Sequence, residues 1–257
     1  DEMGLGKSVQ VLAWLYNHKE VRPVLIICPN SVKLNWVREI KRWCEENAFS
    51  ISGRNGHLPS NKGFYVINYD ILADRLEQLK AMDFEMIVLD ESHYIKNYKA
   101  KRTVAALELC SNVNRVVCLT GTPILNRPAE LWTTLQILRP KEKIFRDFWG
   151  FMRRYADAKQ TPWGWDFSGA SNLDELQVKL RRSVMIRRLK RDVLKELPPK
   201  RRIMVPIEIN NRFEYEKALN EFKKWYYENE GKILDERAEL LVRIEKLKQL
   251  AVKGKLD

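Results

Sequence analysis

Three short stretches carry side chains that together would handle a phosphoryl group. DEMGLGKS at 1–8 sets Gly4, Leu5, Gly6, Lys7 and Ser8 in the order of a phosphate-binding turn. In such a turn the backbone N–H groups of a glycine-rich bend and of the following helix cradle phosphate oxygens. A lysine neutralises the β and γ charges, and a Ser or Thr hydroxyl ligates Mg²⁺. The general spacing G-x-x-x-x-G-K-[ST] wants glycine at its first position, where this chain has Asp1, so the stretch alone also reads as an ordinary glycine turn before a helix. MIVLDESH at 86–93 then delivers Asp90 and Glu91 at the carboxyl end of an apolar run. Adjacent carboxylates leaving a buried strand are costly unless a cation and a reacting water use them. Asp90 reads as the metal carboxylate, and Glu91 as the group that orients or deprotonates the water. VVCLTGTP at 116–123 places Thr120, Gly121 and Thr122 at another strand end, on the side where nucleotides lie in open α/β sheets.

Such groups need a scaffold that brings strand ends together. β-rich runs with few charges at Val24 to Cys28, Phe64 to Ile67, Met86 to Leu89 and Arg115 to Leu119 are too short for helices and read as buried parallel strands. Helical patterns alternate with them. Trp36, Val37, Ile40, Trp43 and Cys44 share one apolar face, with Asn30 or Ser31 available as N-cap, and Leu131, Trp132, Leu135 and Leu138 form a second stripe behind Pro128. Strand and helix in this rhythm predict an α/β fold, a doubly wound parallel sheet with helices on both faces. After about Arg139 the chain turns helical and basic: FRDFWGFMRRYADAK, a loop TPWGWDFSGASN, and a helix from Leu173 with Asn172 and Glu175 at capping-box spacing. LPPK at 197–200 breaks the chain, RRIMVPIEI at 201–209 is strand-like, and two helices follow. Their stripes are Tyr215, Ala218, Leu219, Phe222 and Tyr226, then Leu240, Ile244, Leu247 and Ala251, with Gly231 ending the first helix.

Composition narrows the partners. In 257 residues, 46 Lys and Arg against 34 Asp and Glu give a net charge of +12, which favours a polyanion, nucleic acid first, over neutral ligands. No stretch approaches the roughly 18 to 20 uncharged apolar residues of a membrane helix, and no signal peptide is visible, so a soluble, intracellular protein with no membrane partner is expected. Cys28, Cys44, Cys110 and Cys118 form no C-x-x-C pair and read as reduced core thiols. His18 and His57 are isolated and read as surface residues. Trp163 and Trp165 could stack on bases, but a packing plug is the favoured reading. Arg187, Arg188, Lys190 and Arg191 fit either a solvated helix face or phosphate contacts.

DEMGLGKS, LIICPNSVKLNW, DESHYIKN, LTGTPILNRPAELW and MIRRLKRDVLKELPPK resemble, in order, the helicase motifs of the Snf-type (Swi/Snf) chromatin-remodelling and DNA-translocating ATPases. That family spells its first motif D-E-M-G-L-G-K, which accounts for Asp1. RRYADAKQTPWGWDFSGASNLDEL is similar to the segment that marks its annealing-helicase (HepA-related) subgroup. The resemblance covers residues 1 to about 205.

It implies a P-loop NTPase lobe of RecA-like fold with a helical extension, using ATP and Mg²⁺. Gly4, Leu5, Gly6, Lys7, Ser8 and Gln10 would bind ATP, Ser8 and Asp90 the metal, and Lys7 and Glu91 would act in catalysis. His93, Thr120, Gly121 and Thr122 would couple hydrolysis to movement. Pro29, Asn30, Ser31, Asn68 and Tyr69 resemble parts of a DNA track, and Asp70 belongs to the same motif. The implied division is a RecA-like lobe at 1–139, a helical insertion at 140–205 and a helical segment at 206–257 leading to a second RecA-like lobe. On this reading the chain begins just inside its own phosphate site and stops before the lobe that supplies an arginine finger, so alone it should turn over negligible ATP. The implied function is an ATP-dependent translocase on double-stranded or forked DNA, nuclear in a eukaryote and cytoplasmic, at the nucleoid, in a prokaryote or virus. An RNA helicase of the same superfamily and a non-hydrolysing nucleic-acid-binding module are the alternatives.

Overall fold

The computed structural model describes residues 1–60, 63–123, 127–196, 198, 203, 208–228 and 237–255. The chain forms two compact units, Asp1–Leu197 and Pro198–Asp257. The first opens with α1 (Lys7–Asn17), β1 (Val24–Cys28), α2 (Lys33–Cys44), β2 (Ala48–Ser50) and β3 (Phe64–Asn68). It continues with α3 (Leu76–Lys80), β4 (Met86–Asp90), α4 (Lys101–Ser111) and β5 (Arg115–Leu119). The five strands make one parallel sheet in the order β2-β3-β1-β4-β5. This is the expected α/β architecture. The added strand, β2, is three residues of half-buried edge, too short to show a period in the sequence.

Strand side chains alternate between two cores, which is why the runs are apolar throughout rather than every second residue. Val24, Ile26, Cys28, Phe64, Val66, Met86 and Val88 face Leu12 and Leu15 of α1 and Trp36, Ile40 and Cys44 of α2. Leu25, Ile27, Tyr65, Ile67, Ile87 and Leu89 face Leu79 of α3 and Ala105, Ala106, Leu109 and Cys110 of α4. The thiols stay free, and burial pushes Cys28 and Cys110 up to about 12.

The α2 face differs from its sequence reading. Asn30 and Ser31 do not cap it, because the chain enters through a tight turn over Asn30–Val32 with no side-chain cap. Trp43 is exposed and donates through Nε1 to Glu39 at 2.6 Å, whereas the stem of Lys33 is buried in line with Trp36, Ile40 and Cys44. His18 is half-buried, stacked on Trp14 with ring centroids 4.0 Å apart, while His57 is at the surface.

Beyond the sheet, α5 (Leu131–Leu138) carries the chain into an extension of α6 (Phe148–Tyr155), β6 (Lys159–Thr161), β7 (Gly164–Asp166), α7 (Leu173–Ser183) and α8 (Lys190–Val193). A third core joins Leu131 and Leu135 to Phe145, Phe151, Met152, Tyr155, Leu176 and Leu180. The expected capping box does not form. Asn172 adopts a left-handed conformation and gives its amide to Arg154 O, and Glu175 is taken by Arg154, by Tyr155 Oη at 3.1 Å and by Lys179 Nζ at 2.9 Å. The Arg154 and Lys179 bonds hold the Glu175 carboxyl down at about 2. Its contribution is therefore complete above the ordinary carboxylate range and drains as pH falls toward 2.

In the second unit, α9 (Arg212–Glu228) and α10 (Arg237–Lys253) pack with Ala218 and Trp225 buried and with Asn211 Nδ2 donating to Leu250 O at 2.9 Å. Trp225 joins the expected stripe. The LPPK break and the strand-like run fall largely, and Gly231 wholly, outside the described residues.

One buried cation organises the loop after β2. Arg75 is 2% exposed and donates to the carbonyls of Ser52, Gly53, Asn55 and Gly56 and to Gln78 Oε1. Arg75→Met keeps the stem and strands these acceptors. It should cost about 3 kcal/mol, seen as a lower urea midpoint at unchanged m-value. An unmoved midpoint would show that the loop does not depend on the guanidinium.

Candidate functional site

The phosphate turn is built from backbone conformations that only glycine takes at no cost. Gly4 and Gly6 sit at φ +82° and +68°, and Gly6 opens α1 with no side chain capping it, so the first-turn N–H groups are free for an anion. Lys7 Nζ reaches back to the carbonyls of Asp1 and Glu2 at 3.4 and 3.3 Å, and Gln10 Nε2 donates to Leu5 O at 2.8 Å and Asp1 Oδ2 at 3.1 Å. Gln10 therefore braces the loop. A Cβ on Gly121 would lie 2.5 Å from Met3 Cγ and 3.7 Å from Lys7 Nζ, so the third stretch is laid directly on the first.

Asp90 ends β4 with both carboxylate oxygens occupied. Oδ2 accepts Trp36 Nε1 at 2.8 Å and Oδ1 accepts the Glu91 N–H at 3.0 Å, while the Asp90 carbonyl accepts Tyr69 Oη at 2.8 Å. Burial pushes the Tyr69 hydroxyl well above its ordinary range, so it remains a donor. Glu91 stands at φ 48°, ψ 55°, a left-handed conformation that costs a non-glycine residue about 1 to 3 kcal/mol and concentrates at functional sites. It turns the chain out of the sheet. Glu91 Oε2 lies 3.2 Å from His93 Nδ1, an ion-pair contact when the ring is protonated, although no aligned hydrogen bond reaches that buried nitrogen. Ser92 and His93 share a small cavity with Thr120, joining the second stretch to the third, and Thr120 Oγ1 accepts the Thr122 N–H at 3.1 Å.

The donors fit a hard divalent cation. Ser8 offers a hydroxyl in the first turn of α1, and Asp90 keeps one lone pair on each oxygen after its hydrogen bonds. An oxygen set of this kind, completed by water and phosphate, is what Mg²⁺ takes. A groove of about 690 Å³ follows the outer edge of β5 next to this site. Lys7, Gln10, Ser92, Thr120, Gly121 and Arg188 contribute to its lining, and Val11, Trp14, Val116, Leu135 and Met185 make its walls apolar. Those walls suit hydrocarbon better than phosphate, so a phosphate would suit the rim and not the groove.

The residues resembling a DNA track divide in two. Asn30 and Ser31 are exposed at the entry to α2, with Pro29 buried behind them. Asn68 and Tyr69 turn inward at 6% and 1% exposure, which removes their side chains from any DNA surface. Asn68 accepts Lys33 Nζ at 3.4 Å and donates to Asp70 at 3.2 Å, and Lys33 also reaches Ile51 O at 3.0 Å. The basic quartet is also not a free helix face. Arg188 Nη1 meets Asp1 Oδ2 at 3.1 Å, its backbone pairs with Asp1 and Glu2, and the Lys190 N–H donates to Glu2 Oε2 at 2.6 Å. Lys190 Nζ would lie 3.3 Å from a Cβ on Gly4. Arg187 and Arg191 are exposed beside them.

Trp36 and Lys33 are the site residues that sequence reasoning does not assign, and Tyr69, assigned to a DNA track, instead donates to Asp90. The usable signal was chemical. A core tryptophan carries an N–H that needs an acceptor, and an aspartate closes the strand next to β1.

The SNF2-related domain family profile matches residues 1–252. The chain is 41% identical over 212 residues to the SWI/SNF-related matrix-associated actin-dependent regulator of chromatin subfamily A-like protein 1 of Xenopus tropicalis, covering 80% of this chain and 22% of that protein. It is 36% identical over 240 residues to the human DNA annealing helicase and endonuclease ZRANB3, covering 88% of this chain and 22% of that protein. The chain thus spans about a fifth of the length of these relatives. The SWI2/SNF2 ATPase core of Sulfolobus solfataricus, solved in complex with dsDNA, shares the fold at TM-score 0.60 and 24% identity over 97% of this chain and 52% of that one.

Trp36→Phe tests the hold on Asp90. It keeps an aromatic ring in the core and removes one hydrogen bond from a carboxylate oxygen. Loss of such an outer partner typically weakens metal affinity about 10- to 100-fold. The Mg²⁺ needed to half-saturate binding of a fluorescent ATP analogue should rise by about that factor. An unchanged Mg²⁺ dependence with a lowered melting temperature would make Trp36 a packing residue only.

Proposed function

The chain belongs to the SNF2-related domain family, and we propose that it is the first lobe of an ATP-driven motor that moves along double-stranded DNA. One observation carries the reading. Gly121 lies against Met3 and Lys7, while Lys7, Ser92 and Thr120 border a common groove, so three stretches far apart in sequence are assembled at one end of the parallel sheet.

Gly4, Leu5, Gly6 and Lys7 would hold the phosphates, with Ser8 and Asp90 as metal ligands and Gln10 bracing the loop. Bound Mg²⁺ would neutralise charge on the β- and γ-phosphate oxygens. Glu91 would hold the attacking water and take its proton, because its carboxylate is set outward by the left-handed turn and is one-third exposed. His93, Thr120, Gly121 and Thr122 would pass the state of the site onward through the contact between the second and third stretches. Asn30 and Ser31 would meet the DNA backbone, and Arg187 and Arg191 are candidates beside them.

The proposed division remains a RecA-like lobe at 1–139, an insertion at 140–205 and a segment at 206–257 that leads to a second lobe. An arginine finger from that lobe would be worth roughly 10³ to 10⁵ in rate. The relatives' names, a chromatin regulator and a DNA annealing helicase, support DNA over RNA as the track and, in a eukaryote, the nucleus as the place. Intact Lys7, Asp90 and Glu91 speak against a purely binding module.

In the two-lobed protein, Glu91→Gln should bind ATP normally and lose turnover by about 10² or more. Near-normal turnover would remove Glu91 from the chemistry. Because the grip proposed is on phosphates, affinity for duplex DNA should be nearly independent of sequence and fall steeply with salt. A salt-insensitive or strongly sequence-selective affinity would contradict a backbone track.

A further inference from the structure

Of the two tryptophans of the insertion, Trp165 packs against the fold and Trp163 does not. TPWGWD folds into a tight hairpin, β6 against β7, paired Lys159 to Asp166, Gln160 to Trp165 and Thr161 to Gly164. Trp163 stands at its turn with 98% of its surface in solvent. The turn is stiff. Pro162 fixes its own φ, Thr161 Oγ1 donates to Gly164 O at 2.6 Å and accepts the Trp163 N–H at 3.3 Å, and Gly164 takes φ +120°. A Cβ on Gly164 would meet nothing within 4 Å, so the tip projects clear of the rest of the fold.

The footing is firm as well. Trp165 lies on Trp149 of α6 at 4.8 Å, Trp149 and Phe148 both meet Phe167, and Phe148 meets Trp132 of α5 at 5.3 Å. An aromatic ladder thus ties the hairpin to the third core. Arg153 lies over the outer part of this ladder, 5.7 Å from the Trp149 ring centroid.

An indole held in water on a rigid support needs a flat apolar partner, and charge indicates which. Residues 141–191 hold 13 Lys and Arg against 6 Asp and Glu, more than half of the chain's net +12 in about a fifth of its length. Aromatic faces interleaved with cations are the chemistry that binds single-stranded nucleic acid, because every base has a π-face and every nucleotide a phosphate. In a paired duplex those faces are already stacked. An unpaired base is free to turn out and offer one.

We propose that the hairpin is a stacking element for an unpaired nucleobase, with Trp163 as the platform and Arg153 and Lys159 next to the strand. This rests on the reading of the protein as DNA-binding and adds to it the side chains that would meet an unpaired base.

The test uses the full-length protein and two oligonucleotides of equal duplex length, one blunt and one forked, the fork carrying 2-aminopurine at the first unpaired position. Trp163→Ala should weaken fork binding about tenfold, remove the fluorescence quenching that stacking produces, and leave blunt-duplex affinity and melting temperature unchanged. Trp163→Phe should restore most of both signals. Equal loss on fork and blunt duplex, or no loss on either, overturns the proposal and leaves the duplex motor standing. If the unaltered protein binds neither DNA, the motor reading fails with it. If Trp163→Ala spares both DNAs and instead releases a co-purifying protein, the tip is a protein contact and the nucleobase is ruled out.

Discussion

An aspartate at the end of a strand buried on both faces needs a partner for each of its oxygens. Asp90 meets this with one hydrogen bond from the Glu91 N–H, one from Trp36 on the helix after β1 and one, to its carbonyl, from Tyr69 after β3. Those three bonds draw on three strand ends. The parallel sheet puts β3, β1 and β4 side by side with their carboxyl ends together, so the groups are neighbours without any long loop. The two bonds to the carboxylate oxygens fix the direction of the side chain. The direction of the Asp90 carboxylate is what a metal site would depend on.

The same bonds link the ends of two strands to surfaces further out. α2 follows the exposed Asn30 and Ser31 and carries Trp36 in its first turn. That helix therefore connects its exposed entry to Asp90 through the Trp36 hydrogen bond. The loop after β3 behaves alike, since Lys33 holds Asn68, and Tyr69 next to it holds Asp90. Asn68 and Tyr69, which resemble part of a DNA track, thus lie between Lys33 and Asp90.

The sheet was legible because burial on both faces leaves a continuous signature. Val24 to Cys28, Phe64 to Ile67, Met86 to Leu89 and Arg115 to Leu119 all lie in the observed strands. The order of the three chemical stretches was equally legible. What did not show was whatever depended on a distant partner. Asn172 and Glu175 have the spacing of a cap, but Arg154 outcompetes the helix terminus for both. Trp43 fits the apolar stripe and lies outside it, because the i, i+4, i+8 row of Trp36, Ile40 and Cys44 already fills the contact with the sheet. Arg188 reads as surface charge until Asp1, 187 residues away, is placed beside it. Three-residue strands such as β6 and β7 leave no period to detect.

The central claim is that these stretches form half of a motor whose chemistry is gated by duplex DNA. The most direct measurement is steady-state ATP hydrolysis by the full-length protein at saturating Mg²⁺, without nucleic acid, with duplex DNA and with duplex RNA of the same sequence. The account predicts slow basal turnover, strong stimulation by duplex DNA and little by RNA. Turnover that is equally fast without nucleic acid, or stimulated by RNA in preference to DNA, would contradict it.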